Sequence, residues 1–505
     1  MELKTFSKPA LANALSNNHT SKEIILTKNQ FIFLHEYLDS KDINAKTMVI
    51  EENYISKDFL DGYASYYALC FENYPKVCRR VHFFSKKFGE PELSAAITSN
   101  NSNLWGGYLG FIVVKPIPIT VIGLTLLKTY PNKEEPRVFW GTREYDVHLF
   151  GKKLKINSLA FQEQDTVIAA CATTAIWSML NKASLDFHTT LKSPSQITRD
   201  ADTVSPDGSR LFPNKGLSLL QICQAIVNSG LVSEIKRGNI KHSDDHGMVV
   251  SSIYIRKILN AYSAIGIPII LVIKVPTGDT YGAHAITVSG FKQKQLKVSL
   301  PKNDITWYSE NIERIYAHDD QWGPFARISF LNDKEIENHW TKSDPKKRPT
   351  LVQNIIVPVY PKIRISYENI EAIVLGLDVI LRLFFGNRIV SDLVWDIKIQ
   401  YAQNYKESIR NANLSNTAKM KRLVDPLPKY VWVANCYVAN LKIMEFVFDA
   451  TGVNNAMLGL DVVCFLPRPI RIKLRDFLKN NKHKFEPLIK HKDRGNYYDF
   501  IVKAL

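Results

Sequence analysis

The spacing of apolar and polar residues along the chain predicts helices and strands in a mixed order. Near the middle, residues 170–182 place apolar groups at i, i+3, i+4 and i+7, the period of an amphipathic helix. Residues 267–275 form a nearly continuous apolar run rich in β-branched residues, which is typical of a buried strand. Helices that come before strands, without regular alternation, favour an α+β fold over a doubly wound one.

The same patterns predict elements along the rest of the chain. Helices are expected near 28–39 and over 217–226, 251–265, 367–385 and 469–480, and strands over 105–114, 117–127, 282–291, 351–359 and 430–448. Residues 57–90 carry aromatic residues and Leu at helical spacing, 151–155 are expected to be an exposed connection, and 190–215 a loop.

A charged stretch with two prolines, 332–350, is the best candidate for a linker. We therefore expect an N-terminal α/β region (1–155), a central domain (156–331), the linker, and a C-terminal α/β region (351–505). The two flanking regions both supply strands, so they could pack as one body into which the central domain is inserted.

Composition narrows the function classes only slightly. A chain of 505 residues is long enough for two or three domains. Its net charge of +16 suits an acidic partner such as nucleic acid, an anionic membrane surface or an acidic protein, but no nucleic-acid motif and no long basic run are present. The basic stretch 79–82 is better explained as the exposed end of a helix.

Cofactor motifs are also missing from the sequence. The six cysteines form no Cys-x-x-Cys pair, and there is no His-Glu-x-x-His, phosphate loop or dinucleotide fingerprint. The stretch 242–246 contains two histidines, but it lies in a polar segment that we interpret as a solvated loop. We therefore expect no cofactor and no metal ion.

The sequence predicts a cytoplasmic protein with free thiols. The N-terminus lacks the apolar core of a signal peptide. The most apolar stretch, 106–127, is interrupted by Lys115, Pro116 and Pro118, so it is interpreted as two strands and not as a transmembrane segment.

Candidate chemistry begins at Cys171, which opens the predicted helix over 170–182. More than a hundred residues later, His284 begins the apolar strand Gly-Ala-His-Ala-Ile-Thr-Val-Ser-Gly-Phe (282–291). A thiol must ionise before it attacks, and a helix N-terminus and a neighbouring imidazolium both favour the thiolate. A Cys at a helix start and a distant His are therefore the parts of a nucleophilic site that the fold brings together.

An oxyanion hole needs donors close to the nucleophile. The backbone N–H of Cys171 is one candidate, and the side-chain amide of Gln164 is the other. Gln162 is the alternative donor.

A third group is expected to orient His284. Asp319, at a strand end that precedes a Gly-Pro turn, is the first choice and Asp320 the second. Because side chains alternate along a strand, only one of these two should face the histidine. Asn303 and Asp304 are weaker candidates for the same role.

These segments resemble the papain-like cysteine peptidase superfamily, and most nearly the bacterial double-glycine-leader-type peptidase-like domains. The resemblance rests on Gln…Cys-Ala, His-Ala-Ile-x-Val-x-Gly-Phe and a later Asp, and it covers about residues 156–330. It implies a papain-like central domain in which Cys171 is the nucleophile, His284 the base, Asp319 the orienting group and Gln164 the oxyanion residue. The Gln-to-Cys spacing is seven residues here, against six in the family.

The sequence therefore predicts a cysteine hydrolase, in the first place a peptidase acting on a protein or peptide through an acyl-enzyme. A transglutaminase-like acyl transferase would use the same residues with an amine as acceptor. A non-catalytic module that binds protein or nucleic acid is the alternative of another class. The large flanking regions also motivate the hypothesis that a regulatory partner switches the activity on, as in toxin or phage-defence systems.

Overall fold

The structure is a computed structural model of the 505-residue chain. It describes residues 1–99, 103–132, 136–165, 170–203, 216–242, 246–294, 305–386, 393–452, 458–490 and 494–505. The chain is 38% helical and 33% strand, so the expected mixture of helices and sheets is confirmed.

The helices and strands of the described residues are numbered in chain order. The helices are α1 (Lys8–Leu15), α2 (Lys22–Thr27), α3 (Asn29–Asp39), α4 (Lys57–Ser65), α5 (Glu90–Thr98), α6 (Cys171–Phe187), α7 (Pro194–Ala201), α8 (Leu219–Asn228), α9 (Ser252–Ser263), α10 (His339–Ser343), α11 (Tyr367–Phe385), α12 (Ala402–Asn411), α13 (Asn416–Val424), α14 (Arg468–Asn480), α15 (Lys482–Phe485) and α16 (Arg494–Ala504). The strands are β1 (Glu2–Thr5), β2 (Thr47–Tyr54), β3 (Cys78–Phe84), β4 (Tyr108–Val114), β5 (Ile122–Leu127), β6 (Arg137–Val138), β7 (Arg143–Leu149), β8 (Lys152–Ser158), β9 (Val232–Arg237), β10 (Ile240–Lys241), β11 (Met248–Val249), β12 (Ile269–Thr277), β13 (Thr280–Gln293), β14 (Thr306–Trp307), β15 (Ile312–Asp319), β16 (Gly323–Phe330), β17 (Ile336–Glu337), β18 (Leu351–Val359), β19 (Leu393–Tyr401), β20 (Tyr430–Val438), β21 (Leu441–Asp449) and β22 (Gly459–Cys464).

The chain divides into two compact units. Unit 1 comprises Met1–Ser252, Ile267–Gln293 and Arg314–Val359, and unit 2 comprises Ile253–Gly266, Lys294–Glu313 and Tyr360–Leu505. The domain boundaries expected from the sequence stay predictions, because units defined by contacts need not be the parts that fold independently.

Two larger sheets organise unit 1. One is an antiparallel sheet in the order β1-β2-β3-β4-β5. The other has the order β17-β16-β15-β13-β12-β18-β9, with β6 paired to β13. Strands β12 and β13 therefore lie in the interior of this second sheet. This position explains why β12 is nearly continuously apolar, since a central strand is covered on both faces.

Burial also explains the residue pattern of helix α6. Most of its side chains are buried, among them Ile176, Trp177, Met179 and Leu180. Buried residues lie on nearly all sides of this helix, and burial by tertiary packing provides most of the stability of a helix in a folded protein. The helix predicted over 170–182 is thus confirmed, and it ends five residues later than expected, at Phe187.

Unit 2 has a sheet of its own, in the order β14-β19-β20-β21-β22. Strand β14 pairs parallel to β19, and the other neighbours are antiparallel. Helix α11 begins and ends where the periodicity predicted, at Tyr367 and Phe385.

Three local expectations are wrong in whole or in part. The helical spacing over 57–90 corresponds to a helix only as far as Ser65, and residues 78–84 form strand β3. The stretch 151–155 lies largely in β8, which pairs with β7 in a hairpin. The loop expected over 190–215 contains α7, whose N-cap Ser193 makes a capping box with Gln196, while residues 204–215 lie outside the described residues.

The basic stretch 79–82 is not the exposed end of a helix. Arg80 is buried, and its Nε lies 2.7 Å from Glu51 Oε2 on the neighbouring strand β2. His82 is fully buried, and its Nδ1 lies 2.9 Å from the Tyr108 hydroxyl. The charges are neutralised by partners that are distant in sequence, which the local pattern could not reveal.

No helix among the residues described above is both long and apolar enough to cross a lipid bilayer.

Candidate active site

Cys171 is the first residue of α6 and is half-buried. The N-cap residue is Ala170, which has no polar side chain to accept hydrogen bonds from the first turn. N–H groups at a helix start have no intrahelical partner and carry the positive end of the helix dipole. The sulfur is therefore attached where a negative charge is favoured.

Helix α6 lies against the strand that carries His284. The Thr287 hydroxyl, on β13, donates a hydrogen bond of 2.8 Å to the carbonyl oxygen of Ala175 on α6. His284 is on the same strand, opposite Ile273 of β12. Packing of the helix across this strand brings the two distant segments of the predicted site together.

His284 has a carboxylate on one side and the thiol nearby. Its Nε2 lies 2.9 Å from Asp319 Oδ1, and both side chains are buried. The Cys171 side chain also lies near enough to the imidazole to help raise its pKa. Asp319 lies at Nε2, so Nδ1 is the ring nitrogen that remains available to a thiol. The structure thus brings together Cys171, His284 and Asp319, whose roles remain predictions.

Asp319 is held by more than the histidine. Its Oδ2 accepts a hydrogen bond of 3.0 Å from the Trp340 indole Nε1, and its Oδ1 accepts one of 3.1 Å from the Gln321 backbone N–H. The Trp340 ring also packs edge-on to the His284 ring, with centroids 5.3 Å apart. Trp340 lies on α10, inside the stretch that the sequence suggested as a linker, and sequence analysis missed it. The one local signal was an aromatic pair, His339-Trp340, in a charged segment.

The charged form of His284 is favoured by these neighbours. Burial by itself lowers the pKa of His284. The charge of Asp319, its hydrogen bond, the hydrogen bond with Cys171 and the charge of Asp320 outweigh the burial and raise the pKa well above its ordinary value. An imidazolium is therefore the expected state of this ring at neutral pH.

Asp320 also faces the histidine. Its Oδ1 lies 3.5 Å from His284 Nε2, although neither carboxylate oxygen has a hydrogen-bond partner among the described residues. Burial raises the pKa of Asp320 to about 7. The expectation that only one of the two aspartates would approach His284 is wrong. Strand β15 ends at Asp319 with an irregular register after Ala317, so the alternation of a regular strand does not extend to Asp320.

The oxyanion residue is less well defined. Gln164 is half-buried, and residues 166–169, which connect it to the start of α6, lie outside the described residues. Gln162 is buried, and its Nε2 has no hydrogen-bond partner in the described part of the chain. Gln162 also lines a pocket that is open to solvent, together with Lys115 and Ser195. The oxyanion role of either glutamine stays a prediction.

The remaining candidates from the sequence are Asn303, Asp304 and the histidines of the stretch 242–246. Asn303 and Asp304 lie outside the described residues. His242 Nε2 lies 3.2 Å from Glu335 Oε1, and its ring is 5.2 Å from that of His246. His242 is therefore buried and paired instead of lying in a solvated loop.

The six cysteines are all free, and they differ in their surroundings. Burial raises the pKa of Cys78 to about 12 and that of Cys436 well above its ordinary value. Burial also raises the pKa of Cys223 and Cys464. These four thiols are therefore held in the unreactive neutral form, since the thiolate is the nucleophile.

No protein-family model matches this chain, and no curated protein sequence matches it significantly.

Proposed function

We propose that the chain is a cysteine hydrolase, in the first place a peptidase, with a papain-like central domain. One observation carries the proposal: a single imidazole, His284, has the Asp319 carboxylate 2.9 Å from its Nε2 and also interacts with the Cys171 side chain, which helps to raise its pKa. The three residues come from a helix start and two strands that are far apart in sequence. A helix that packs on an antiparallel pair of strands at the site supports the papain-like assignment.

The proposed reaction begins with an ion pair. A cationic His284 stabilises the thiolate of Cys171, and the helix N-terminus adds to this effect. The thiolate attacks the carbonyl carbon of the substrate, and the carbonyl electrons move to the oxygen. His284 then gives its proton to the leaving amine as the carbon–nitrogen bond breaks, which leaves a thioester on Cys171.

The second half of the proposed reaction regenerates the free enzyme. The now neutral His284 takes a proton from water, the resulting hydroxide attacks the thioester, and the carboxylic acid product leaves as the thiolate re-forms. Asp319 keeps the imidazole ring in place through both halves and stabilises its positive charge. A backbone N–H at the start of α6, with Gln164 or Gln162, would bind the negatively charged oxygen.

An acyl transferase of the transglutaminase type would differ only in the last step, where an amine replaces water. A non-catalytic binding module would need no activated thiol at all. The hydrolase is preferred over the binding module because a buried imidazole with a raised pKa beside a half-buried thiol is costly to maintain without a chemical role.

The deciding experiment is alkylation of the full chain with limiting iodoacetamide at pH 6, followed by peptide mass spectrometry. Cys171 should be modified faster than Cys70, which is also half-buried. The other two half-buried thiols are less suitable for comparison, because burial raises their pKa. The substitution His284→Gln should slow the modification of Cys171 to the rate of Cys70, whereas His483→Gln, at an exposed position, should have no effect. Equal alkylation rates for Cys171 and Cys70 in the wild-type protein would refute both the hydrolase and the transferase.

Water and amine as acceptors can be separated in a second assay. Casein is incubated with the protein in the presence and absence of a labelled primary amine. New peptide N-termini without incorporated amine indicate a peptidase, and label on intact casein indicates the transferase. The substitution Cys171→Ala should abolish either signal.

A further inference from the structure

Three ligand atoms of the kind that bind divalent cations meet at one side of His284. Its Nε2 lies 2.9 Å from Asp319 Oδ1 and 3.5 Å from Asp320 Oδ1, and the three ligand atoms all lie within 4.8 Å of one another. Ligand atoms about 2.1 Å from a Zn²⁺ ion in a tetrahedral site lie about 3.4 Å from one another. The spacing of this group is therefore already close to that of a first coordination shell.

The second observation is that the Asp320 carboxylate has no hydrogen-bond donor among the described residues. The residue is 3% exposed, and neither oxygen of its side chain accepts a hydrogen bond from the described residues. A buried carboxylate normally has donors, because a buried charge without them costs several kcal/mol. Asp320 Oδ1 lies 3.5 Å from His284 Nε2, and a positive charge bound there would satisfy it.

The balance of charge supports the same conclusion. One imidazole ring faces two acidic side chains, and the other acidic group that acts on Asp320 is Glu163. A dication that replaces the proton on Nε2 would balance the two carboxylates with a neutral imidazole. Imidazole and carboxylate are common ligands of Zn²⁺ in proteins.

We propose that His284 Nε2, Asp319 and Asp320 form an inhibitory site for Zn²⁺ behind the imidazole. The ion takes the place of the proton on Nε2, and water completes its coordination. With the ion bound, His284 cannot carry the imidazolium charge that stabilises the Cys171 thiolate. The regulatory consequence rests on the proposed function, whereas the binding of the ion does not.

The site is separate from the thiol. Cys171 affects the pKa of the same ring. Because Asp319 lies at Nε2, the sulfur would use Nδ1 and the ion Nε2 in the proposed arrangement. This distinguishes the proposal from the ordinary capture of zinc by a reactive cysteine. It also gives the experiment its discriminating variant, Cys171→Ala.

Binding is measured on the full chain after treatment with EDTA and dialysis, by titration with ZnCl₂ against a fluorescent chelator at pH 7. The wild-type protein should bind one Zn²⁺ with high affinity, and Cys171→Ala should bind it equally well. Asp320→Asn should weaken the affinity by at least about 10- to 100-fold. Loss of a residue that only supports a metal ligand already has an effect of this size, and Asp320 would be a ligand itself. The matched control is Asp279→Asn, at a side chain that is 91% exposed, which should bind like the wild type.

Three results would overturn the proposal: no tight site in the wild type, undiminished affinity in Asp320→Asn, or loss of the site in Cys171→Ala. Circular dichroism of each variant checks that it is folded. A readout that needs no variant is the thermal unfolding of the wild type, whose midpoint should rise with Zn²⁺ and fall back with EDTA; an unchanged midpoint counts against the site.

The consequence for the thiol is measured separately. Zn²⁺ should slow the alkylation of Cys171 by iodoacetamide, and EDTA should restore the rate. If Cys171 is unreactive even without Zn²⁺, the proposed function fails while the binding result stands. If Cys171 is reactive and Zn²⁺ binds without slowing it, the inhibitory role fails and the hydrolase stands.

Discussion

The indole Nε1 of Trp340 donates a hydrogen bond of 3.0 Å to Oδ2 of Asp319. The other oxygen of this carboxylate faces His284 Nε2. The tryptophan thus fixes the rotation of the group that fixes the imidazole, and its ring covers the same histidine edge-on. A residue from a short helix outside the predicted catalytic segment is therefore part of the site, which leads to the first prediction.

Replacement of Trp340 by Phe keeps an aromatic ring and removes the indole donor. We expect the alkylation of Cys171 at pH 6 to slow by about 3- to 10-fold, the equivalent of one hydrogen bond. The pH profile of the reaction should shift as well, since a less well-oriented Asp319 stabilises the imidazolium less. Trp105→Phe is the matched control, because the indole nitrogen of this buried tryptophan has no hydrogen-bond partner among the described residues. Equal rates and profiles in the two variants would mean that Trp340 has no positioning role.

Asp319 and Asp320 should differ in their effect on the thiol. Asp319 accepts three hydrogen bonds, from His284, Trp340 and the Gln321 N–H, whereas Asp320 accepts none from the described residues. Asp319→Asn should therefore slow the alkylation of Cys171 at pH 6 by about 10- to 100-fold, the cost of one hydrogen bond to a charged group. Asp320→Asn should have a smaller effect when measured with EDTA present. A larger effect of Asp320→Asn would assign the orienting role to Asp320.

Gly323 closes the turn that carries both aspartates, and it pairs with Asp319 across the strands. A Cβ atom added to Gly323 would lie 2.1 Å from Cδ1 of Phe33, a rigid ring on α3. We expect Gly323→Ala to lower the free energy of unfolding by about 1–3 kcal/mol, as overpacking does in cores. It should also slow the alkylation of Cys171, because the turn must move. Gly106→Ala, where a Cβ meets no atom within 4 Å, is the control and should leave both quantities unchanged.

His82 should make the stability of the fold sensitive to acid. Burial lowers the pKa of His82 to about 4, against the opposing hydrogen bond with Glu51. The folded state therefore binds this proton less readily than the unfolded chain, whose histidine has a pKa of about 6.5. The contribution to stability is complete above pH 6.5 and is lost as the pH falls to about 4, by about 3 kcal/mol in total.

The measurement for His82 is the free energy of unfolding in urea at pH 7 and pH 4.5, for the wild type and for His82→Gln. Other groups titrate in the same range, so the difference between the two proteins isolates the histidine. The wild type should lose more stability than the variant on acidification. A parallel decrease in both proteins would mean that His82 does not contribute.

Local sequence patterns were sufficient wherever an element is defined by its own period. The limits of α11 and β18 match the predictions over 367–385 and 351–359. The apolar run over 267–275 corresponds closely to β12. These elements bury one stripe or both faces in a core, so the positions of their apolar residues show directly which side chains must be buried. Cys171 and His284 were found in the same way, because Cys171 begins a helix and His284 begins the buried part of its strand.

Tertiary structure decided what depends on partners that are distant in sequence. From the sequence, the cations of β3 were expected to be exposed to solvent. In the structure Arg80 is paired with Glu51 of the neighbouring strand. Trp340 is not part of a helical or strand periodicity in the sequence. Its importance comes from a contact with Asp319, which is distant from it in the chain. That both aspartates reach His284 depends on where β15 loses its regular register. A sequence states which groups are present, but the distances and shared atoms on which charge and hydrogen bonding depend exist only after the chain has folded.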